Sequence, residues 1–472
     1  VELFEWAQTL GGRLASMREP KSRQWIDNGQ HILLGCCRET LELNERLGLT
    51  PFFDRADSIS FVAGEGKRWE MTASPFLPHR WQLVPAFLKM PFLPFRDRVA
   101  TGLLLRKLGK TQPGRMATPP EPTVLIDWLR REGASDASIA KFWTPLVLST
   151  LSDTVETVCL QAVRKVVQDA LLNGVQAISA HVPNRPLRSI YGEAAQEALE
   201  RLDVRVHLGA RVAKLLWQNY ADEACTWPVD IDADVEPVAC RIIGIELADG
   251  TKRSFNRYIS TIPSHRIWRL LEDSGLESFA DMLDLARFEP GAVTSVHLWC
   301  DRRILPGDKA FCATLGGPGQ VLFAPAPGRI PAWSTEDQST EGKTTENKET
   351  PLGVYHLVVI SASHRLLSDS ELTAAGNEPL IDRVLDQMRM VFPEAFERPG
   401  DPFRVLHWRT TTVFDAVFSP HPDIYAFRPS QATPIHNLAI AGDWTQTDWP
   451  STMEGAVRSG LAAAELFPPE NR

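Results

Sequence analysis

Several features that are common in proteins are missing from this sequence of 472 residues. No apolar run reaches the roughly 18 residues that a membrane-spanning helix needs, and no basic segment followed by an apolar one opens the chain as in a secretory signal. The seven cysteines show neither CxxC nor Cys/His ligand spacing, which argues against a zinc site and against a disulfide framework. The sequence therefore predicts a cytoplasmic protein that keeps its cysteines reduced.

A net positive charge is also missing, because the chain has 50 Lys and Arg residues against 59 Asp and Glu residues, which gives a net charge of −9. No global positive field would draw the protein to nucleic acid. The exception is the segment 80–110, where seven basic residues and the single acid Asp97 stand among Phe, Leu, Trp and Pro. This segment is either a helical subdomain covered by Lys and Arg stems or a surface that contacts the inner membrane peripherally.

Short segments with the apolar pattern of strands occur at residues 1–5, 204–207, 211–215, 242–255, 257–262 and 437–441. The Asp249-Gly250 pair predicts a hairpin turn inside the fourth of them. Residues 38–47 alternate leucines with charges, which predicts an amphipathic helix. Residues 334–350 are almost wholly polar and predict a surface loop.

The last segment contains a strand, a Gly442-Asp443 turn and then a helix that begins near Ser451, with Ser451 and Glu454 as a capping box. Two stripes run along this helix, one with the larger residues Met453, Val457 and Leu461, the other with the small residues Gly455, Ser459 and Ala463. Such a unit places free backbone amides beside a carboxylate and favours negative charge by about 0.3–1 kcal/mol at exposed sites. An α/β unit without a ligand would show the same pattern.

The sequence of residues 441–460, AGDWTQTDWPSTMEGAVRSG, resembles the C-terminal flavin motif of the FAD-dependent amine-oxidase and phytoene-desaturase superfamily. The resemblance implies that FAD is the cofactor. It also implies that Gly442 and Asp443 bind it, with Asp443 at the ribityl or phosphate region. The Met453 amide would face the pyrimidine edge of the flavin, and Trp449 and Pro450 would lie near the ring.

A second resemblance joins the N-terminal strand, which ends in Glu5, and the residues Gly11, Gly12 and Arg13 that follow it. They resemble the second strand of an FAD-binding Rossmann unit, in which a terminal acid accepts hydrogen bonds from the adenosine ribose. Val212 falls where the superfamily sets backbone groups against adenine, although an ordinary core valine fits equally well. The GxGxxG phosphate loop is absent, so we expect about 30 residues of the βαβ unit to be missing from the front of a truncated chain.

The branch of the superfamily is indicated by residues 25–35, WIDNGQHILLG, together with residues 38–40, 142–146 and 296–299. These resemble the hydroxysqualene dehydroxylases, which use FADH2 to convert hydroxysqualene to squalene for hopanoid synthesis. The resemblance implies an isoprenoid lipid substrate and association with squalene-pathway synthases. Asp27 and His31 lie in the turn that passes close to the flavin in this superfamily, so either could protonate the leaving hydroxyl, or both could only orient backbone or bind flavin.

Six aromatic residues are candidates for the lining of an apolar substrate tunnel or for ordinary core packing: Trp81, Phe87, Phe92, Phe95, Phe142 and Trp143.

The predicted fold is α/β, with an interrupted, Rossmann-type FAD-binding domain of the amine-oxidase kind and a mixed α+β substrate domain. The FAD-binding domain comprises residues 1–55, 185–264 and 435–472, and the substrate domain comprises residues 56–184 and 265–434. Two other functions stay open. One is an oxidising enzyme like phytoene desaturase or amine oxidase, and the other is an inactive fragment that no longer binds FAD.

Overall fold

A computed structural model describes residues 1–110, 123–219, 240–324, 352–373 and 377–468. The predicted loop 334–350 lies outside these residues. The strands of the described residues are β1 (Glu2–Phe4), β2 (Ser16–Arg18), β3 (Trp25–Asp27), β4 (Leu33–Leu34), β5 (Phe53–Ala56), β6 (Ser58–Ala63), β7 (Lys67–Thr72), β8 (Ala180–Pro183), β9 (Arg205–His207), β10 (Val212–Asn219), β11 (Cys240–Leu247), β12 (Lys252–Arg253), β13 (Tyr258–Ser260), β14 (Pro290–Cys300), β15 (Phe311–Thr314), β16 (Val321–Phe323), β17 (Val354–Ile360), β18 (Val405–Phe418) and β19 (Leu438–Ile440).

The α-helices are α1 (Arg38–Arg46), α2 (Val84–Leu88), α3 (Phe95–Gly109), α4 (Leu125–Arg131), α5 (Asp136–Ser138), α6 (Thr144–Leu151), α7 (Leu160–Val166), α8 (Ala195–Arg201), α9 (Ser264–Asp273), α10 (Glu277–Met282), α11 (Ser363–Leu366), α12 (Asp369–Thr373), α13 (Glu378–Val391), α14 (Pro393–Phe396), α15 (Pro422–Phe427) and α16 (Met453–Glu465). Wider π-helical turns at Ile139–Trp143, Val167–Leu171 and Arg188–Ala194 adjoin α6, α7 and α8.

Two parallel strand pairs join segments that are far apart in the chain. Strand β1 pairs with β9, and β13 pairs with β19, the strand before the Gly442-Asp443 turn. The predicted hairpin is confirmed, because β11 and β12 are antiparallel and Gly250 between them has φ +83°. Glycine suits that position because it adopts positive φ without a steric penalty.

A seven-stranded sheet with the order β18-β14-β17-β16-β15-β6-β7 forms the largest β structure of the described residues. Its central strands β14 and β17 are buried almost throughout, because apolar clusters cover both faces of the sheet. All seven strands lie within residues 56–184 and 265–434. The division of the chain into two domains nevertheless stays a prediction, since helix α9 packs against β10 in the same apolar core as α4, α6 and α7.

The capping of the C-terminal helix differs from the predicted capping box, which is wrong. Helix α16 begins at Met453, and the side chain of Thr452 accepts the hydrogen bond from the Gly455 amide at 3.4 Å. The Ser451 hydroxyl donates to Asp443 instead, and the Glu454 carboxylate leaves its own helix. A local pattern of four residues could not reveal these distant partners.

The small stripe of α16 is the buried one, and Leu461 of the larger stripe is exposed. Small residues let the helix approach the alanines of β19 and its following residue closely, and a Cβ at Gly455 would lie 2.6 Å from the Pro450 carbonyl oxygen. This close packing sets the position of the N-terminus of α16 relative to the Gly442-Asp443 turn.

Candidate functional site

Strand β1 leads into the first functional turn. The Glu5 side chain at its end accepts a hydrogen bond from the Ala7 amide at 2.8 Å, and the Glu5 carbonyl accepts one from Ala210 at 2.8 Å. Val212, at the start of β10, is half-buried and packs against the apolar core that contains α4, α6 and α7. The Glu5 carbonyl is thus joined to the residue two positions before Val212, and Val212 has the contacts of an ordinary core valine. A role of either residue in binding FAD stays a prediction.

The turn with Gly11 and Gly12 has positive φ at both glycines, +111° and +56°. A Cβ at Gly11 would lie 2.8 Å from the Leu14 carbonyl oxygen, so the backbone could not turn there with a larger residue. The turn brings Arg13 to strand β18 and the C-terminal motif.

Arg13 joins three segments of the chain. Its Nη1 donates to the Ala416 carbonyl at 2.8 Å, and its Nη2 pairs with Asp443 Oδ1 at 2.5 Å. The other oxygen of Asp443 accepts from the Ser451 hydroxyl at 2.5 Å, and Asp443 is only 4% exposed. The sequence predicted Arg13 and Asp443 as cofactor-binding residues, but their direct pairing across 430 positions appears only in the structure.

The loop that carries Asp443 is held by a residue that the sequence analysis missed. Arg428 is buried, and its guanidinium donates to the carbonyl oxygens of Trp449 at 2.6 Å and Asp443 at 2.7 Å. Burial lowers the pKa of Arg428. Gly442 has φ +143° and donates its amide to Ser459 at 2.7 Å. No periodic pattern marks a single arginine that binds carbonyl groups, so sequence alone offered no signal for Arg428.

Trp449 and Met453 occupy different environments at the start of α16. Two cations lie near the Trp449 ring, with Lys165 Nζ 5.1 Å and Arg458 Cζ 4.5 Å from its centre. Trp449 and the adjacent Pro450 are buried, and their proximity to a flavin ring stays a prediction. Within the described part of the chain, the Met453 amide has no acceptor, as is usual for the first turn of a helix.

The Glu454 carboxylate connects α16 to α1. It is fully buried and accepts hydrogen bonds from the Thr40 amide at 2.9 Å, the Thr40 hydroxyl at 2.8 Å and the Glu39 amide at 3.2 Å. Arg458 supplies a fourth donor at 2.9 Å. A negative charge at the first turn of a helix satisfies free amides and complements the helix dipole. Glu454 thereby fixes the start of α1, which follows Asp27 and His31 in the chain, against the C-terminal motif.

Asp27 ends strand β3 and is fully buried, with 0% of its surface exposed. Its Oδ1 accepts hydrogen bonds from the Ser16 hydroxyl at 2.5 Å and the Leu187 amide at 3.0 Å. Its Oδ2 has no hydrogen-bond partner among the residues that the structure describes. Burial raises the pKa of Asp27 to about 7, because a buried carboxylate loses its hydration. Asp27 is therefore a carboxyl group that is largely protonated at slightly acidic pH.

His31 lies within the electrostatic influence of Arg13, and burial and this positive charge both shift its pKa in the same direction. Burial, and secondly the positive charge of Arg13, lower the pKa of His31 to about 4, so its imidazole is neutral at pH 7. The structure thus brings Arg13, His31 and Asp443 together. His265 at the start of α9 lies nearby, since its Nε2 is 3.8 Å from Oδ2 of Asp415, the residue before the Ala416 carbonyl that Arg13 binds. The sequence analysis missed His265, whose SHR context carries no motif.

Of the six candidate aromatic residues, four pack in the interior and two are exposed. Trp143 and Phe92 are buried in two different apolar clusters, and Phe87 packs edge-to-face against Phe142 with ring centroids 5.3 Å apart. Trp81 and Phe95 are exposed at the surface. The tunnel interpretation of the set is therefore wrong for these last two, because the other face of their helical region is the one that packs into the core.

The residues around Asp443 fit FAD at its flavin end. A buried carboxylate is fixed by two donors, a free amide begins a helix next to it, and glycine turns with positive φ let backbone approach closely. Within the described ranges, no helix is long and apolar enough to cross a membrane.

Comparisons with known proteins extend over nearly the whole chain. Zeta-carotene desaturase of Synechocystis sp. is 22% identical over 492 residues, which cover 99% of this chain and 92% of the relative. Hydroxysqualene dehydroxylase of Zymomonas mobilis is 23% identical, with the same coverage of 99% and 92%. The crystal structure of an oxidoreductase from Methanosarcina mazei matches with a TM-score of 0.65 at 16% identity, over 98% of this chain and 94% of that one.

The family model described as flavin containing amine oxidoreductase matches residues 1–466. The predicted amine-oxidase-like FAD-binding fold is thus confirmed, and so is FAD as the cofactor. The chain is an oxidoreductase of the superfamily that includes the carotenoid desaturases. Because the matching model covers residues 1–466, the chain belongs to the flavin-containing amine oxidoreductase family.

Proposed function

We propose that this protein uses reduced FAD to remove the hydroxyl group of hydroxysqualene, giving squalene for hopanoid synthesis. The similarity to the Zymomonas mobilis hydroxysqualene dehydroxylase over 99% of the chain supports the substrate class, which is an isoprenoid lipid. The observation that carries the proposal is the buried Asp27 with its raised pKa. A dehydroxylation needs an acid for the leaving hydroxyl, whereas a desaturation or an amine oxidation does not.

The reaction replaces a C–O bond by a C–H bond. The hydroxyl group takes a proton and leaves as water, and the allylic carbon receives a hydride. Reduced FAD supplies that hydride when it is bound. Asp27 supplies the proton through Oδ2, the oxygen without a partner in the described residues, and the carboxylate then recovers a proton from water.

His31 is a weaker candidate for the acid, because a group with a pKa of about 4 carries no imidazolium proton at pH 7. We assign to His31 a positioning role beside Arg13. Arg13, Gly442, Asp443 and the Met453 amide would hold the cofactor, with Glu5, Gly11 and Gly12 at its adenosine side.

The test is an anaerobic assay of the purified protein after its FAD content has been measured. Hydroxysqualene is added to the reduced enzyme, and squalene is quantified by gas chromatography with mass spectrometry. We expect squalene formation, a drop of about 10²–10⁴-fold in kcat for Asp27→Asn, and a much smaller drop for His31→Asn. The rate of the wild-type enzyme should also fall above about pH 7 as Asp27 loses its proton.

Other outcomes would replace the proposal. Desaturation of phytoene or zeta-carotene by the oxidised enzyme, without squalene formation, would favour a desaturase, which the Synechocystis relative makes the second candidate. Oxidation of an amine would favour the amine-oxidase alternative. A protein that folds but holds no FAD would support the inactive fragment. Association with squalene-pathway synthases is part of the proposal and is tested by co-purification with the purified synthases.

A further inference from the structure

One surface of the protein combines apolar exposure with positive charge. In the segment 76–103, eight large hydrophobic residues are exposed: Phe76, Leu77, Trp81, Val84, Leu88, Phe95, Val99 and Leu103. We call these residues the apolar patch. Contiguous exposed apolar surface of this kind is rare on soluble proteins unless it meets a partner or a membrane.

Helix α3 contributes three of the eight residues of this patch, Phe95, Val99 and Leu103. One face of α3 is buried: it carries Thr101 and the three leucines Leu104, Leu105 and Leu108, which join the apolar core that also contains α4, α6 and α7. The opposite face carries Phe95, Val99, Leu103 and Arg106, at spacings of four, four and three, which place them in one stripe. The core already uses the buried face, so folding of this chain does not account for the apolar residues of the outer stripe.

Contacts between neighbouring segments bring parts of the patch side by side. The Arg106 guanidinium lies 5.7 Å from the centre of the Trp81 ring, which puts Trp81 beside the outer stripe of α3. Arg98 donates to the Leu88 carbonyl at 2.6 Å and to the Leu93 carbonyl at 2.7 Å, and so ties the end of α2 to α3.

The most protruding residue is presented by a fixed turn. Phe76 is 93% exposed, and the buried Gln82 holds the turn around it by donating to the Leu77 carbonyl at 3.0 Å. The Ser74 amide donates to the Gln82 carbonyl at 2.8 Å. An apolar ring at the tip of a hydrogen-bonded turn is held ready for insertion into a partner.

The charge around the patch identifies the partner. Exposed Arg80, Lys89, Arg96, Arg106 and Lys110 surround it, whereas the whole chain has a net charge of −9. Lys107 is paired with Glu132 and is left out of this count. An anionic bilayer offers negative headgroups and an apolar interior to the same surface, which is the combination that a basic rim around an apolar patch complements.

We propose that the apolar patch and its basic rim bind the surface of an anionic phospholipid bilayer, with Phe76, Trp81 and Leu103 inserted below the headgroups. The exposure, packing and charge of these residues do not depend on which substrate the enzyme takes. Each basic residue near an anionic surface strengthens binding about fivefold, and burial of one leucine side chain strengthens it about tenfold or more.

The test is flotation of the full-length, FAD-loaded protein with vesicles of phosphatidylcholine, with and without phosphatidylglycerol. We expect binding to the anionic vesicles that weakens with salt. Leu103→Asp should reduce this binding at least about tenfold, and Lys89→Glu with Arg96→Glu should remove the preference for phosphatidylglycerol. The matched control is Leu202→Asp, since Leu202 is 63% exposed and Leu103 is 60% exposed, and it should bind like wild type.

FAD content and circular dichroism show whether each variant is folded. Failure of folded wild type to float, or equal binding by Leu103→Asp and Leu202→Asp, would overturn the proposal. Light scattering that shows a dimer broken by Leu103→Asp, without vesicle binding, would assign the patch to a second copy instead. Squalene assays in detergent are separate, so loss of vesicle binding and loss of the proposed activity are distinguishable.

Discussion

Replacement of Asp27 by asparagine should change how the stability of the protein depends on pH. The pKa of Asp27 is raised from its ordinary value of 3.8 to about 7. The folded state therefore binds more protons than the unfolded state between about pH 4 and pH 7, and stability falls as pH rises through this window. The asparagine side chain in Asp27→Asn would keep an oxygen acceptor for the Ser16 hydroxyl and the Leu187 amide but would not titrate.

The size of the effect follows from the same pKa values. Between about pH 5 and pH 8, the free energy of unfolding of the wild-type protein should fall by about 2–3 kcal/mol more than that of Asp27→Asn. A chain of this length unfolds with an entropy of about 1 kcal/mol per kelvin, so the difference corresponds to about 2–3 °C in Tm.

The assay is differential scanning calorimetry or fluorescence melting of both FAD-loaded proteins across this pH range. The Tm of wild type minus that of Asp27→Asn should become more negative as pH rises. Asp57→Asn removes one charge at an exposed position and is the control for net charge. Parallel Tm curves for wild type and Asp27→Asn would refute the reasoning, because they would mean that Asp27 stays ionised throughout the range in the folded protein.

Three further variants test the contacts that build the site. Glu454→Ala should destabilise the protein by about 3 kcal/mol in denaturant unfolding, because it leaves the buried Thr40 amide and the partly buried Glu39 amide without an acceptor; an unchanged midpoint would contradict this. Arg13→Leu should lower FAD affinity more than tenfold in equilibrium dialysis, because it leaves the buried Asp443 carboxylate without its cation; Arg13→Lys should lie between, and equal affinities would count against the pairing. Gly442→Ala should reduce folded, FAD-loaded protein, because its Cβ would lie 2.5 Å from a buried indole nitrogen, whereas Gly460→Ala, which meets nothing within 4 Å, should be tolerated.

The clearest differences between expectation and structure come from contacts over long chain distances. Ser451 and Glu454 match the spacing of a capping box, yet each has a stronger partner elsewhere, Asp443 and the start of α1. Arg428 and His265 belong to the site without any motif. A pattern within one turn of helix reports only on neighbours in sequence, whereas these residues meet through packing of segments hundreds of positions apart.

The sequence by itself determined the short strands, the Asp249-Gly250 hairpin, helix α1 and the flavin motif at the C-terminus. These depend on the local pattern of apolar and polar residues, on turn residues and on a contiguous sequence motif. Only the tertiary structure decided that Arg13 pairs with Asp443, that the small stripe of α16 faces inward and that Trp81 is exposed while Trp143 is buried. It also decided which of Asp27 and His31 keeps a proton near neutral pH. Burial and nearby charge set that proton affinity, and both arise only when distant segments enclose the group.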